Sequence, residues 1–184
     1  MRRNFLPSTP LTTFVDSDYW AAPDETNVKF MAPNPSRDWI SVSPVELSAG
    51  DLTAWAIRAD CRAVVTFCGT VRDNSDGRDA IEALEYESST ELAERSIREI
   101  VATARLRWPV LGAVAIHHRV GRVALSETAV VVAVSSPHRQ EAFEAAQFCI
   151  DTLKASVPMW KREHWPGGSA WSADVQNIVK VQQR

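Results

Sequence analysis

Lysine is scarce in this chain: Lys29, Lys154, Lys161 and Lys180 stand against sixteen arginines. Cysteine is scarcer still. Cys61, Cys68 and Cys149 show no C-x-x-C spacing and cannot all pair internally, which excludes a disulfide framework and fits a reducing compartment without a structural metal site. No stretch approaches the ~20 apolar residues of a membrane span, so the expectation is a cytoplasmic protein with no membrane partner. "MRRNFL" carries the paired arginines of an export signal, but Pro7 and Pro10 break the chain where an apolar stretch and a cleavage site belong. A basic surplus is also missing. The net charge is −3, and with no aromatic-basic surface this argues against a nucleic-acid partner. There is no Gly-rich nucleotide loop and no metal-ligand cluster, so no cofactor and no metal are expected.

What is present suits one domain with an extension. The 184 residues are 45% hydrophobic and 23% charged, enough for a real core. Residues 1–38 hold five of the ten prolines, no glycine and no sustained period. Such a segment cannot easily offset its ordering entropy and reads as a flexible or partner-draped extension. Residues 39–184 read as the domain.

Ile40 and Val42 alternate as in a strand. Ser43-Pro44-Val45-Glu46 looks like a capping signal for a helix that continues through "DLTAWAIRA". "RAVVTFCGTVR" predicts a buried strand ending at Gly69, followed by a polar loop and the strand "AIEALEYES". Ser88-x-x-Glu91 predicts a capping box for a long helix, with Leu92, Ser96, Ile97, Ile100, Val101 and Ala104 on its buried stripe. "GAVAIHHRVG" and "TAVVVAVSS" predict strands around a "GRVALSE" turn, the second apolar enough to be buried on both faces. A second long helix follows, with Ser136 as N-cap and Pro137 at its first position. Phe143, Ala146, Ile150, Leu153 and Val157 form its stripe, and Pro158 ends it. Strands and helices mix without regular βαβ alternation, so the class is α+β.

Half of the lysines fall in "IDTLKASVPMWKREHW", residues 150–165. Arginine serves as well for a solvated charge or a carboxylate clamp. Lysine differs in an amine whose pKa yields to burial or to neighbouring cations, so the stretch raises amine chemistry. For Lys154 the competing reading is a cation that answers a helix C-terminus. Arg72 follows the first core strand, and His138-Arg139 open a helix whose free N–H groups favour an anion, although a solvated first turn is the alternative. His117 and His118, neighbours in a strand, place one ring in and one out and suit packing. Cys68 reads as a small apolar strand residue, with a nucleophile as the alternative. Trp160 is expected to pack beside Lys161.

Taken together, "FCGTVRD", "LEYES…LAERSI", "HHRVG", "AVSSPHRQEAFEAAQFCIDTLK" and "VPMWKRE", in this order and spacing, closely resemble the large, catalytic subunit of molybdopterin synthase. The resemblance runs from about residue 40 to residue 165. It implies an α/β hammerhead-type fold and a homodimer that binds a small ubiquitin-like sulfur-carrier subunit at each end, forming a heterotetramer. The carrier's C-terminal Gly-Gly tail, bearing a thiocarboxylate, would enter the large subunit's pocket. Two such sulfurs would pass to cyclic pyranopterin monophosphate and form the dithiolene of molybdopterin, a sulfurtransferase step of molybdenum cofactor biosynthesis.

Carried over motif by motif, the resemblance places catalytic positions on Lys154 and Lys161. Substrate-binding positions fall on Thr70, Val71, Arg72, His138, Arg139, Lys161, Arg162 and Glu163. Lys154 is then expected to act as acid/base or transient covalent partner. Arg72, His138 and Arg139 would anchor phosphate and pterin, and Lys161 would help to place the thiocarboxylate. Departures from the family (Ala63 for a glycine, "VALSE" and "SSTEL") touch turns and a helix start, not these positions. The alternative is a non-catalytic paralogue that binds the carrier in a regulatory or scaffold role, against which the intact cations argue. The chain ends in "KVQQR" rather than Gly-Gly, so the carrier is expected to be another polypeptide. Geometry adds one expectation: His138 and Lys154 stand sixteen residues apart on one predicted helix, roughly 24 Å at helical rise. A small pterin would struggle to touch both in one protomer. The pocket is therefore expected to be completed across the dimer, with His138 and Arg139 from the partner chain.

Overall fold

The computed structural model describes residues 37–75 and 78–172. Of the expected N-terminal extension, all but Arg37 and Asp38 lies outside the described residues. The chain runs β1 (Asp38–Ser43), α1 (Ala49–Ala56), β2 (Ala63–Thr70), β3 (Asn74–Ser75), β4 (Arg78–Asp79), β5 (Ala83–Glu87) and α2 (Thr90–Arg107). It continues as β6 (Val114–Arg119), β7 (Gly121–Ala124), β8 (Thr128–Ser136), α3 (Arg139–Ser156), β9 (Trp160–Trp165) and β10 (Gly168–Trp171). The α+β class expected from the sequence is what forms.

One sheet has the order β1-β6-β8-β2, with β1 and β6 parallel and the other pairs antiparallel. The second, β10-β9-β5-β7, is antiparallel throughout. β8 is apolar along its length because both faces of its sheet are covered. Val130, Val132 and Val134 join the core beneath α2 and α3, whereas Val131 and Ala133 pack under α1 with Leu52, Ala56 and Ala115. The same two-sided cover buries both histidines of β6, one on each face. His117 stands edge-on to Trp39, with centroids 4.6 Å apart, and His118 edge-on to Tyr86 at 5.0 Å. Neither ring points out to solvent, contrary to the expectation for a one-sided strand.

Several local expectations shift for physical reasons. β2 lies at the sheet's edge and is half-exposed rather than buried, with Cys68 open to solvent. "GRVALSE" is not only a turn: its first half is β7, which leaves the first sheet at Gly121 (φ +78°) and pairs with β5. The N-cap of α1 is Ser48, whose Oγ accepts the Asp51 N–H at 3.2 Å, so Ser43–Glu46 caps nothing. The Ser88 capping box does not form either. Ser88 Oγ donates instead to the Pro158 carbonyl at 2.7 Å, tying the start of α2 to the end of α3. Ala93 takes the buried place expected for Leu92, and Phe143 of α3 is exposed while Ala142 and Cys149 fill the stripe.

Gly112 marks the tightest backbone approach that bears on stability. A methyl group there would collide with Cys61 Sγ and lie 2.7 Å from Ser135 Oγ. That hydroxyl accepts the buried Ala113 N–H at 2.7 Å, so moving aside breaks a bond. Gly112→Ala is expected to lower unfolding free energy by about 1–3 kcal/mol, seen as a lower urea midpoint with an unchanged m-value. An unchanged midpoint would contradict it.

Candidate active site

α3 decides which functional residues can meet. It follows β8 and returns antiparallel to it, packed on β8 and β2. β2 pairs with β8 from Ala63↔Ser136 to Thr70↔Thr128. The N-terminus of α3 therefore lies at the Ala63 end of β2 and its C-terminus at the Thr70 end. Lys154, in the last turn, is exposed and holds its ammonium 5.9 Å from the centroid of the Phe67 ring on β2, within cation–π range. Thr70, Val71 and Arg72 close β2 at this same end. Val71 is buried; Thr70 and Arg72 are exposed. Arg72 Nε donates to the Asn74 carbonyl at 2.9 Å, turning the chain into the β3–β4 hairpin.

That hairpin reaches β9. Glu163 is only 4% exposed, and its Oε2 accepts Ser75 Oγ–H at 2.9 Å and Arg78 Nη1–H at 3.1 Å. Its Oε1 lies 3.7 Å from Lys161 Nζ. Lys161 and Glu163 share one face of β9, opposite Tyr86 and Leu84 of β5. Burial pushes the Tyr86 phenol up to about 12, so it borders Lys161 as a neutral group. Arg162 takes the other face, its guanidinium 5.6 Å from the Trp171 ring and its Nε buried without a hydrogen-bond partner. Beside it Glu85 pairs with His164 at 2.9 Å. Trp160 is mostly exposed rather than packed.

His138 and Arg139 lie at the far end of α3. His138 is its N-cap, in place of the expected Ser136, and both side chains are exposed beside Phe143 and Glu144 in an open groove of about 500 Å3. Lys154 does not line this groove. Within one chain, then, Lys154 and Thr70–Arg72 share one end of the β2–α3 layer, and the hairpin ties Arg72 to Glu163 and Lys161. His138 and Arg139 stand apart by the length of α3, roughly 24 Å.

The model of the family described as MoaE protein matches residues 42–156. The chain belongs to this family. It is 42% identical over 135 residues to the molybdopterin synthase catalytic subunit of Taeniopygia guttata, covering 73% of this chain and 86% of that one. The crystal structure of molybdopterin synthase from Staphylococcus aureus superposes with a TM-score of 0.68 at 34% identity, over 72% of this chain and 96% of that one. A Helicobacter pylori complex of subunits 1 and 2 of molybdopterin-converting factor shares the fold, with a TM-score of 0.61 over 77% of this chain and 93% of that one, at 17% identity.

Within this MoaE domain, sequence reasoning missed three contributors. Ser75 and Arg78 sat in what read as a polar loop, and nothing in "DNSDGRD" pointed to a carboxylate across the fold. Phe67 lay unremarked in the strand read as buried; it packs against the core and also holds its ring 5.9 Å from the Lys154 ammonium. Cys149 is fully buried, its thiol pushed up to about 12 by desolvation, and serves packing. Among the described residues no group of His, Cys, Asp and Glu could hold a metal, and no helix is long and apolar enough to cross a membrane.

Proposed function

We propose that this chain is the catalytic subunit of a molybdopterin synthase. It transfers sulfur from the thiocarboxylated Gly-Gly tail of a small ubiquitin-like carrier subunit to cyclic pyranopterin monophosphate. The observation that carries the reading is the clustering at one end of the β2–α3 layer. Lys154 and Arg72 gather there, and the hairpin links them to Lys161, in a chain of net charge −3. Both reactants are anionic, so a site of concentrated positive charge in an acidic protein suits them. Arg72 and the exposed Thr70 anchor the phosphate, with Val71 as a buried footing. Lys161 meets the carrier's thiocarboxylate, and Lys154 moves protons, or forms a transient bond, at the carbons receiving sulfur.

His138 and Arg139 cannot reach that cluster from the same chain. In a homodimer with two-fold symmetry the N-terminal end of α3 from one protomer meets the Lys154 end of its partner, and each pocket takes its second anion anchor from the other chain. With one carrier per site the assembly is a heterotetramer. Incubation of the purified chain with thiocarboxylated carrier and cyclic pyranopterin monophosphate is expected to yield molybdopterin, followed as its fluorescent oxidised derivative. Carrier binding without product would leave the protein a non-catalytic relative.

A further inference from the structure

We infer that Arg78 and Ser75, on the β3–β4 hairpin, are positioning residues that hold Glu163 and through it set the place of Lys161; this rests on the sulfurtransferase reading. Glu163 is buried to 4% exposure, and a carboxylate so placed is costly unless its oxygens are paired. The pairing is divided. Oε2 takes the Ser75 hydroxyl and the Arg78 guanidinium, at 2.9 and 3.1 Å, while Oε1 is turned to Lys161 Nζ at 3.7 Å. Arg78 is itself held, its guanidinium 3.7 Å above the Trp165 ring. Trp165 lies two residues beyond Glu163 on the same face of β9.

The consequence is geometric. With Arg78 in place, Glu163 turns only one oxygen toward Lys161, at 3.7 Å, while the other is committed to the hairpin. Without Arg78 the buried carboxylate has lost its arginine and closes on Lys161, drawing the ammonium toward the sheet and away from an incoming carboxylate or thiocarboxylate. The opposite end of the hairpin is tied to Arg72 through the Asn74 carbonyl. One short hairpin thus joins the phosphate-side cation to the tail-side cation.

The test is steady-state kinetics with thiocarboxylated carrier and cyclic pyranopterin monophosphate on wild type, Arg78→Ala, Arg78→Lys and Ser75→Ala, with a thermal melt of each. Arg78→Ala is expected to raise KM for the carrier about tenfold while KM for the pterin stays within about twofold. Arg78→Lys, which keeps a donor and a charge but not the planar fork, should recover part of the loss. Ser75→Ala should show a smaller effect of the same kind. Equal rises in both KM values accompanied by a lower melting temperature would mean that Arg78 only supports the fold, and would overturn the inference. So would wild-type kinetics in Arg78→Ala. If Arg78→Ala fails to fold, the same split read on Ser75→Ala and Arg78→Lys decides. A wild type that binds carrier yet forms no product would instead defeat the sulfurtransferase reading, a result separate from either.

Discussion

Lys154→Ala is expected to abolish molybdopterin formation, with a fall of at least about a hundredfold in single-turnover rate, the scale of a lost general acid/base. Lys154→Arg fares little better, and this second variant is the informative one. Arginine keeps the positive charge and can still sit over the Phe67 ring, so a role in charge or packing alone would survive the change. It cannot readily give up a proton or form an imine. Because Lys154 is exposed at the end of α3, neither variant should move the melting temperature by more than a degree or two. Surface substitutions away from caps and buried pairs cost about 0.5 kcal/mol or less. Near-normal turnover in Lys154→Arg would contradict both the acid/base and the covalent role.

Stability is expected to fall on mild acidification, and His117→Phe is expected to remove about half of that fall. Burial holds His117 and His118 down to about 4, whereas in the unfolded chain both titrate near 6.5. Between those values the unfolded state binds more protons than the folded one, so stability is full above pH 6.5 and declines as pH drops toward 4. Each ring contributes on the order of 3 kcal/mol across the window. His117 is the ring to replace, since its Nε2 is buried without a hydrogen-bond partner. Phenylalanine keeps the edge-on contact with Trp39 and discards that nitrogen. His118 differs, because its Nδ1 meets the Arg119 carbonyl at 2.8 Å. Urea midpoints at pH 7.5, 6 and 5 check the claim: the wild type should lose stability stepwise and His117→Phe less so, starting no lower at pH 7.5. A wild-type midpoint flat from 7.5 to 5 would contradict it.

The elements with strong periodicity were legible from sequence. β6, β8, α2 and α3 carry long apolar patterns, and their place in the chain order set the α+β class. The failures are local and have causes. β9 and β10 escaped because "WKREHW" alternates one charged residue with another, each face of the strand being half-polar; only Pro166-Gly167-Gly168 signals the hairpin between them, with Gly167 at φ +89°. Phe143 read as core by its spacing, but α3 turns that position toward His138 and Arg139. Caps were misplaced by one position at Ser88, whose Oγ donates to the Pro158 carbonyl instead, by two at Ser136 and by five at Ser43. For the site, residue types in sequence pointed to Lys154, Lys161 and Arg72. The division of labour around Glu163 was not readable, because it depends on a hairpin crossing to a strand some 85 residues away.

α3 keeps Lys154 and the His138-Arg139 pair at opposite ends of one chain, so a site that needs both is built from two chains. Subunit mixing tests this most directly. Lys154→Ala and the double variant His138→Ala/Arg139→Ala, each inactive alone, are mixed, dissociated and reassembled, then assayed with thiocarboxylated carrier and cyclic pyranopterin monophosphate. Sites built from two chains predict recovery of roughly a quarter of wild-type activity, since half of the dimers are mixed and each mixed dimer holds one intact site. No recovery, with mixed dimers present by mass, would contradict it.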